Sequence, residues 1–115
     1  MAYDEHIGER MHNIITSKRV PFLSKKMMGG LVFMVNNKMC CGTHIDKKYG
    51  DSLLMLKIGE TAYSKVIEKP ECLPMDFTGR PMKGFIFITP DGFDMDEDLE
   101  YWIELALKFN LEHYG

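Results

Sequence analysis

The chain has 115 residues, of which 45% are hydrophobic and 27% charged, a composition that excludes a disordered or fibrous protein and predicts one folded domain over residues 1–115. Its longest apolar run, Leu31 to Val35, is far shorter than the roughly 20 residues of a membrane helix. The acidic residues Asp4, Glu5 and Glu9 do not fit a secretory signal. We therefore expect a soluble, cytoplasmic protein that makes no membrane contact.

The net charge of −3 is unevenly distributed along the chain. Residues 1–89 carry 13 Lys and Arg against 9 Asp and Glu, whereas residues 90–115 carry 1 against 8. This pattern has two interpretations: an anion-binding face suited to nucleic acid, or an acidic C-terminal helix packed against a basic body. We favour the second, because the pI of 5.8 is well below the value above about 9 that is usual for DNA-binding domains.

The first predicted element is an amphipathic helix over Asp4–Ser17. The apolar residues Ile7, Met11 and Ile15 fall on one stripe of this helix, while polar residues occupy the other positions. The helix should end before Pro21, because the residue that precedes a proline is restricted to extended geometry.

Three strands in a meander are predicted next. The first is interrupted near its start by Gly29 and Gly30. Asn36 and Asn37 can take positive φ, which predicts a tight hairpin between the first and second strands. The three strands are predicted over Met27–Val35, Lys38–Ile45 and Ser52–Ile58.

The remaining sequence predicts a short helix, two strands and a closing helix. Phe85 and Phe87 alternate with Ile86 and Ile88, so we expect that strand to be central and covered on both faces. Asp94 is predicted to cap the closing helix. The predicted order is αβββαββα, an α+β domain with helices on one antiparallel sheet. The bounds are Gly59–Ile67 for the short helix, about Met75–Thr78 and Met82–Ile88 for the strands, and about Asp96–Glu112 for the closing helix.

Four segments of the sequence together resemble a known family. The resemblance is to the TfoX N-terminal domain family and extends over about residues 5–112, with Thr78–Gly84 as its most distinctive part. Met28 stands where phenylalanine is usual. The matching segments are KMMGGLVFMVN at Lys26–Asn36, KMCCG at Lys38–Gly42, MDFTGRPMKG at Met75–Gly84 and LEYWI at Leu99–Ile103.

This resemblance implies both a fold and a biological role. The implied fold is a compact α+β domain with a curved antiparallel sheet, similar to that of secretion chaperones. The implied role is regulation of competence, the uptake of DNA in natural transformation, by a member that consists of the N-terminal domain alone. The resemblance transfers no catalytic residue to this sequence.

The three cysteines, Cys40, Cys41 and Cys72, predict neither a disulfide framework nor a metal site. On a regular strand the adjacent Cys40 and Cys41 point to opposite faces and do not form a chelating pair, and Cys41 and His44 are likewise separated. A cysteine nucleophile would need a nearby base or cation to lower its pKa, and the sequence offers no telling arrangement. We expect buried thiols, with no metal and no cofactor.

Arg80 and Lys83 are candidate binding residues, because they flank Pro81 in or beside a turn. Two cations placed there could bind a phosphate or a carboxylate. The alternative is that Arg80 pairs with a carboxylate such as Asp76 and fixes the hairpin, and the guanidinium suits either partner equally well.

Gly29 and Gly30 are also kept as candidate binding residues. The simpler interpretation is that they, together with Gly79 and Gly84, allow the sheet to bend or the backbone to approach closely. The ten methionines could form an adaptable contact surface, although we expect most of them in the core.

Together these features favour a non-enzymatic binding module that contributes to transcriptional regulation of competence through contacts with a protein or a nucleic acid. The first alternative is a small-ligand-binding protein or enzyme with a pocket near Arg80, Lys83 and Cys41. The second alternative is a homodimeric, chaperone-like structural subunit.

Overall fold

The computed structural model describes residues 3–27, 29–75 and 82–115. Over these residues the chain forms three helices and an open, curved, six-stranded antiparallel sheet with the strand order β1-β2-β3-β4-β6-β5. The α+β class predicted from the sequence is confirmed. The helices are α1 (Glu5–Ser17), α2 (Gly59–Val66) and α3 (Asp96–Tyr114); the strands are β1 (Leu23–Met27), β2 (Gly30–Val35), β3 (Lys38–Asp46), β4 (Asp51–Lys57), β5 (Cys72–Pro74) and β6 (Phe85–Ile88); a 3-10 turn covers Pro90–Gly92.

The sheet contains a strand that the sequence analysis missed. The prediction of one interrupted strand over Met27–Val35 is wrong, because β1 and β2 are separate and pair as an antiparallel hairpin. Gly29, between them, has a φ of 71°. This left-handed backbone, which glycine adopts without steric cost, contributes to the reversal of the chain.

The next hairpin is confirmed. Asn36 and Asn37 connect β2 to β3 with φ values of 54° and 63°, as a two-residue hairpin turn with positive φ at both positions requires. The meander from β2 to β4 follows the predicted order.

The last two strands differ in length and position from the prediction. β5 ends at Pro74, and residues 76–78 of the predicted strand lie outside the described residues. β6 begins only at Phe85, because the N–H of Phe85 donates to the carbonyl of Met82 in a turn and Gly84 has a φ of 94°. β6 is covered on both faces, as predicted, since Ile86 and Phe87 are both buried.

The three helices pack on one face of the sheet and enclose the main core. α1 contributes Ile7, Met11 and Ile15, and α3 contributes a stripe that includes Trp102. A second, smaller cluster lies on the opposite face of the sheet, and its buried members come from the strands and from Met75. They are Val32, Leu53, Met55, Met75 and Phe87.

The acidic helix α3 packs against basic residues in and directly after α1, in line with the favoured interpretation of the charge distribution. Lys18, which follows the last residue of α1, forms ion pairs with Glu100 and Glu104, and Arg10 contacts Asp96 at 3.1 Å. These contacts neutralise part of the C-terminal negative charge within the fold.

The predicted N-terminal cap of α3 is wrong. The helix begins after Met95, and no side chain caps it. The carbonyl of Asp94 instead accepts a hydrogen bond from Arg10 at 3.1 Å, as does that of Phe93 at 2.9 Å. A long-range contact from α1 therefore fixes the start of α3 in place of a local capping box.

The described methionines divide between core and surface. Met11, Met55 and Met75 are fully buried, whereas Met27 and Met95 are exposed. None of the described helices is both long enough and apolar enough to cross a membrane.

Candidate functional site

A groove of about 630 Å³ lies between α2 and the C-terminal half of α3. Its lining combines apolar side chains with several lysines. The groove is lined by Lys57, Ile58, Gly59, Glu60, Thr61, Ala62, Lys65, Lys83, Gly84, Phe85, Leu105, Lys108, Phe109, Glu112 and His113.

Two glycines position α2 at one side of the groove. The backbone N–H groups of Ile58 and Gly59 donate to the carbonyl of Gly84 at 2.8 and 3.1 Å. Gly59 has a φ of 84° and Gly84 a φ of 94°, and a Cβ on Gly84 would lie 3.3 Å from the Gly59 backbone. The start of α2 is thus held against the turn before β6 by a backbone approach that suits glycine.

The groove floor consists of four half-buried apolar residues, Ala62, Phe85, Leu105 and Phe109. Ala62 belongs to α2, Leu105 and Phe109 belong to α3, and Phe85 begins β6. The spacing of Leu105 and Phe109 places both side chains on one face of α3. Apolar surface left half-open between two helices is suited to binding another apolar group.

Three exposed lysines, Lys65, Lys83 and Lys108, surround the groove floor and are called the rim lysines here. None of them forms an ion pair with any residue in the described part of the chain. Lys57 also lines the groove, but its Nζ donates to the Tyr114 hydroxyl at 2.8 Å. The groove therefore offers positive charge that no described carboxylate neutralises by direct contact.

The structure places the sequence-predicted binding residues in different locations. Lys83 lines the groove, whereas Arg80 and its alternative partner Asp76 lie outside the described residues. Gly29 lies in the exposed β1–β2 turn. Gly30 is buried against β3, where an added Cβ would lie 2.6 Å from His44 Cβ. Gly30 is therefore explained by close backbone packing, and neither glycine lines the groove.

The two adjacent cysteines lie on the same side of the sheet, which corrects the prediction. Phe33 pairs with Cys41 and Met34 pairs with Met39, so Cys40 is the extra residue of a β-bulge. Both thiols are fully buried in the main core. The prediction that they point to opposite faces failed because it assumed a regular strand.

The thiols are poor nucleophiles. Contact with the Cys40 thiol, together with burial, raises the pKa of Cys41 well above its usual range. Burial raises the pKa of Cys72 to about 11, with a smaller contribution from the negative charge of Glu71. Since only the thiolate attacks electrophiles, both side chains are predominantly protonated and inert near neutral pH.

Cys41 and His44 lie on opposite faces of the sheet, as predicted. Cys41 belongs to the main core, whereas the ring of His44 lies 5.2 Å from that of Phe87 in the second cluster. Cys41 is not among the residues that line the groove with Lys83. Within residues 3–27, 29–75 and 82–115, no three His, Cys, Asp or Glu side chains converge as metal ligands would.

His44 and Asp46 form a buried pair that the sequence analysis missed. His44 Nε2 lies 2.9 Å from Asp46 Oδ2, and Asp46 Oδ1 accepts from the N–H groups of Lys48 and Tyr49. Burial opposes ionisation of Asp46, but the hydrogen bonds from Tyr49, His44 and Lys48 outweigh it and lower the pKa of Asp46. The i, i+2 spacing on a strand was the available signal, since such residues share a face.

The outer edge of the sheet at β1 bears on the chaperone-like alternative. All five residues of β1 are exposed, and Leu23 is 63% exposed. Lys25 and Lys26 lie in the middle of this strand. Lysines on an edge strand oppose edge-to-edge pairing with another sheet, so this edge is a poor surface for β-sheet dimerisation.

Comparison with known protein families adds an independent observation. Residues 15–110 match the model of the TfoX N-terminal domain. The chain belongs to the TfoX N-terminal domain family. The match includes the groove floor and all three rim lysines, so the groove lies within the matched part of this TfoX N-terminal domain. No curated protein and no solved structure matches the chain significantly.

Proposed function

We propose that this TfoX N-terminal domain is a non-enzymatic regulatory module of competence that acts by binding a macromolecular partner in the groove between α2 and α3. Membership of the TfoX family supports the link to competence. The observation that carries the proposed mode of action is the groove itself, where three rim lysines without ion-pair partners among the described residues surround an apolar floor.

The groove chemistry supports binding rather than catalysis. Lysines and apolar side chains provide attraction and desolvated contact area, and the imidazole of His113 in the lining is stacked on Phe109, with its Nδ1 3.0 Å from the carbonyl of Phe109. The other candidate reactive groups lie outside the groove: Cys40 and Cys41 are buried in the main core, and His44 is held by Asp46 on the opposite face of the sheet. The groove is therefore better suited to binding a partner than to catalysing a reaction.

The proposal is tested in a host strain from which the gene has been deleted. The strain is complemented with the wild-type gene or with the double variant Lys65→Glu and Lys108→Glu, which reverses two charges at the groove. The matched control is Lys25→Glu and Lys47→Glu, which makes the same net charge change at exposed residues outside the groove. Transcription of the DNA-uptake genes and the transformation frequency are measured.

We expect the deletion and the groove variant to reduce both quantities, and the wild type and the control variant to restore them. Circular dichroism and thermal unfolding of the purified variants establish that they remain folded. Unchanged transcription and transformation in the deletion strain would overturn the link to competence. A groove variant that restores both quantities fully would overturn the role of the groove.

A further inference from the structure

We infer that the groove binds an acidic amphipathic segment of a partner protein, with the apolar side chains of the segment on the groove floor and its carboxylates against the rim lysines. This inference rests on the proposed function and names the chemistry of the partner. It follows from the shape of the groove, from its charge, and from the packing of its aromatic rings.

The shape of the groove suits a helical segment. Two helices form its sides, with Ala62 and Lys65 of α2 opposite Leu105 and Lys108 of α3. Grooves between packed helices commonly bind the apolar face of an amphipathic helix through residues spaced three or four apart. The volume of about 630 Å³ lies in the range usual for binding clefts and leaves room for a few apolar side chains.

The charge of the groove selects for carboxylates. Lys65, Lys83 and Lys108 are exposed and form no ion pair within the described residues. Exposed ion pairs contribute more to association rate and specificity than to affinity. The apolar floor must therefore supply most of the affinity, and a ligand with only one of the two features should bind weakly.

The aromatic rings in the groove argue against single-stranded nucleic acid. Proteins bind such strands by stacking bases on open ring faces. The ring of Phe109 is stacked on His113 at 4.1 Å and abuts the backbone of Gly59. Lys57 Nζ lies over the ring of Phe85 at 5.5 Å. These contacts occupy a face of each ring, where a base would stack, whereas the apolar side chains of a protein segment can also pack against ring edges and against Ala62 and Leu105.

The remaining charges in the groove argue against a phosphate backbone. Glu60 and Glu112 line the groove with the lysines, and they would repel closely spaced phosphates. A protein segment can place a neutral or basic residue opposite each glutamate. The mixed charge pattern therefore favours a protein over a duplex of DNA or RNA.

A second copy of this chain is a competing occupant, because the first turn of α3 is acidic and Met95 is 56% exposed. Part of that turn is already engaged within its own molecule, since Arg10 binds the carboxylate of Asp96 and the carbonyl of Asp94, which precedes the helix. Release of these contacts would oppose self-association. We therefore assign the groove to a different protein, and self-association is one outcome of the test.

The probe is a fluorescein-labelled peptide of about 15 residues, a length at which isolated helices begin to be stable, with leucines at helical spacing on one face and glutamates elsewhere. Fluorescence anisotropy measures its binding to the full chain. Four controls are titrated alongside: a scrambled peptide of identical composition, the same peptide with lysine in place of glutamate, labelled single-stranded DNA and labelled duplex DNA.

We expect the amphipathic acidic peptide to bind at least tenfold more tightly than each control, because each control lacks the apolar face, the carboxylates or both. Lys65→Glu with Lys108→Glu should weaken binding about tenfold or more, whereas Lys25→Glu with Lys47→Glu should change it less than about twofold.

A neutral variant tests the groove floor separately. Ala62→Gln places a longer polar side chain in the groove without changing charge, and we expect it to weaken the peptide about tenfold as well. Ser64→Gln, an exposed position on α2 outside the groove, is its control. A loss confined to the charge variants would show a purely electrostatic site and overturn the amphipathic inference.

The outcomes separate this inference from the proposed function. Equal binding of the scrambled peptide, tighter binding of DNA, or concentration-dependent self-association that is abolished by Lys65→Glu with Lys108→Glu would each overturn the acidic-segment inference. If the groove variant still impaired competence in the host, the proposed function would stand without the acidic-segment inference. If the deletion had no effect on competence, the proposed function would fail whatever the peptide did.

Discussion

The ring of Phe109 lies directly against the backbone of Gly59, where an added Cβ would be 2.5 Å from two atoms of the ring. Gly59 has a φ of 84°, which favours glycine on its own account. The contact joins the start of α2 to the last third of α3, so it determines how far apart the two sides of the groove lie.

Gly59→Ala is therefore expected to destabilise the fold by about 2–5 kcal/mol. The left-handed backbone costs a non-glycine residue about 1–2 kcal/mol, and overpacking against Phe109 adds about 1–3 kcal/mol. The free energy of unfolding, measured with urea, checks this value.

Gly50→Ala is the matched control for that variant. Gly50 also has a positive φ, of 69°, but an added Cβ would meet nothing within 4 Å. At this position only the cost of placing a non-glycine residue in the left-handed backbone conformation remains, about 1–2 kcal/mol. Equal losses in the two variants would show that the contact between Gly59 and Phe109 carries no steric cost.

The buried thiols should be unreactive in the folded protein. Since burial raises the pKa of Cys72 to about 11, its thiolate fraction near neutral pH is roughly a hundredfold or more below that of a free cysteine. Cys40 and Cys41 are fully buried in addition. Iodoacetamide labelling followed by mass spectrometry should modify all three cysteines in urea and none of them stoichiometrically in buffer.

The pH dependence of labelling tests whether the raised pKa of Cys72 is the cause of its low reactivity. Modification of Cys72 in the folded protein should rise about tenfold for each pH unit between pH 7 and 10, as expected below a pKa of about 11. Rapid labelling of Cys41 at neutral pH would contradict its raised pKa and would reopen the possibility of a cysteine nucleophile.

The sequence determined the elements that depend on local patterns. The stripe formed by Ile7, Met11 and Ile15 placed α1 on the core, and Asn36–Asn37 placed a hairpin turn, because periodicity and positive φ are properties of neighbouring residues. The bulge at Cys40 was not predictable in this way, because it is defined by pairing with β2.

The groove was only partly accessible from the sequence. Lys83 was a candidate because it lies near a turn. Lys65 and Lys108, by contrast, are 43 residues apart in the chain and belong to different helices, and only the packing of α2 against α3 brings them to one groove. The start of α3 was missed for a similar reason. Asp94 resembled a local cap, whereas Arg10, remote in sequence, binds its carbonyl.

Asp46 should make the stability of the fold dependent on acidic pH. Its pKa is lowered in the folded state, so its contribution is present above the unfolded pKa of about 4 and is lost as the pH falls through the lower folded value. Asp46→Asn should cost about 1–3 kcal/mol at pH 7, because it weakens the hydrogen bonds to His44 and the turn.

The difference between wild type and Asp46→Asn should shrink as the pH falls below about 4, because protonation of this carboxyl in the unfolded chain then favours unfolding of the wild type. Urea unfolding at pH 7 and pH 3 measures both values. Asp51→Asn, at the exposed residue that pairs with Asp46 across the hairpin, should have little effect at either pH. A cost for Asp46→Asn that is independent of pH would contradict the role of its charge.

Asn110 joins α3 to the β2–β3 hairpin and should be sensitive to the loss of a single donor. It is 1% exposed, its Nδ2 donates to the carbonyl of Val35 at 2.9 Å, and its Oδ1 accepts from Asn36 at 3.0 Å. Asn110→Asp replaces that donor by a carboxylate oxygen facing the carbonyl. We expect a loss of about 2–4 kcal/mol at pH 7, since a buried charge is left facing an acceptor.

Acid should partly rescue this variant, because a protonated carboxyl can donate to Val35 where the carboxylate cannot. The stability lost by Asn110→Asp relative to wild type should therefore be smaller at pH 4 than at pH 7 in urea unfolding. Asn13→Asp, at an exposed position on α1, is the control and should lose little stability at either pH. If both variants behaved alike, the buried hydrogen bond from Asn110 to Val35 would contribute nothing to the attachment of α3.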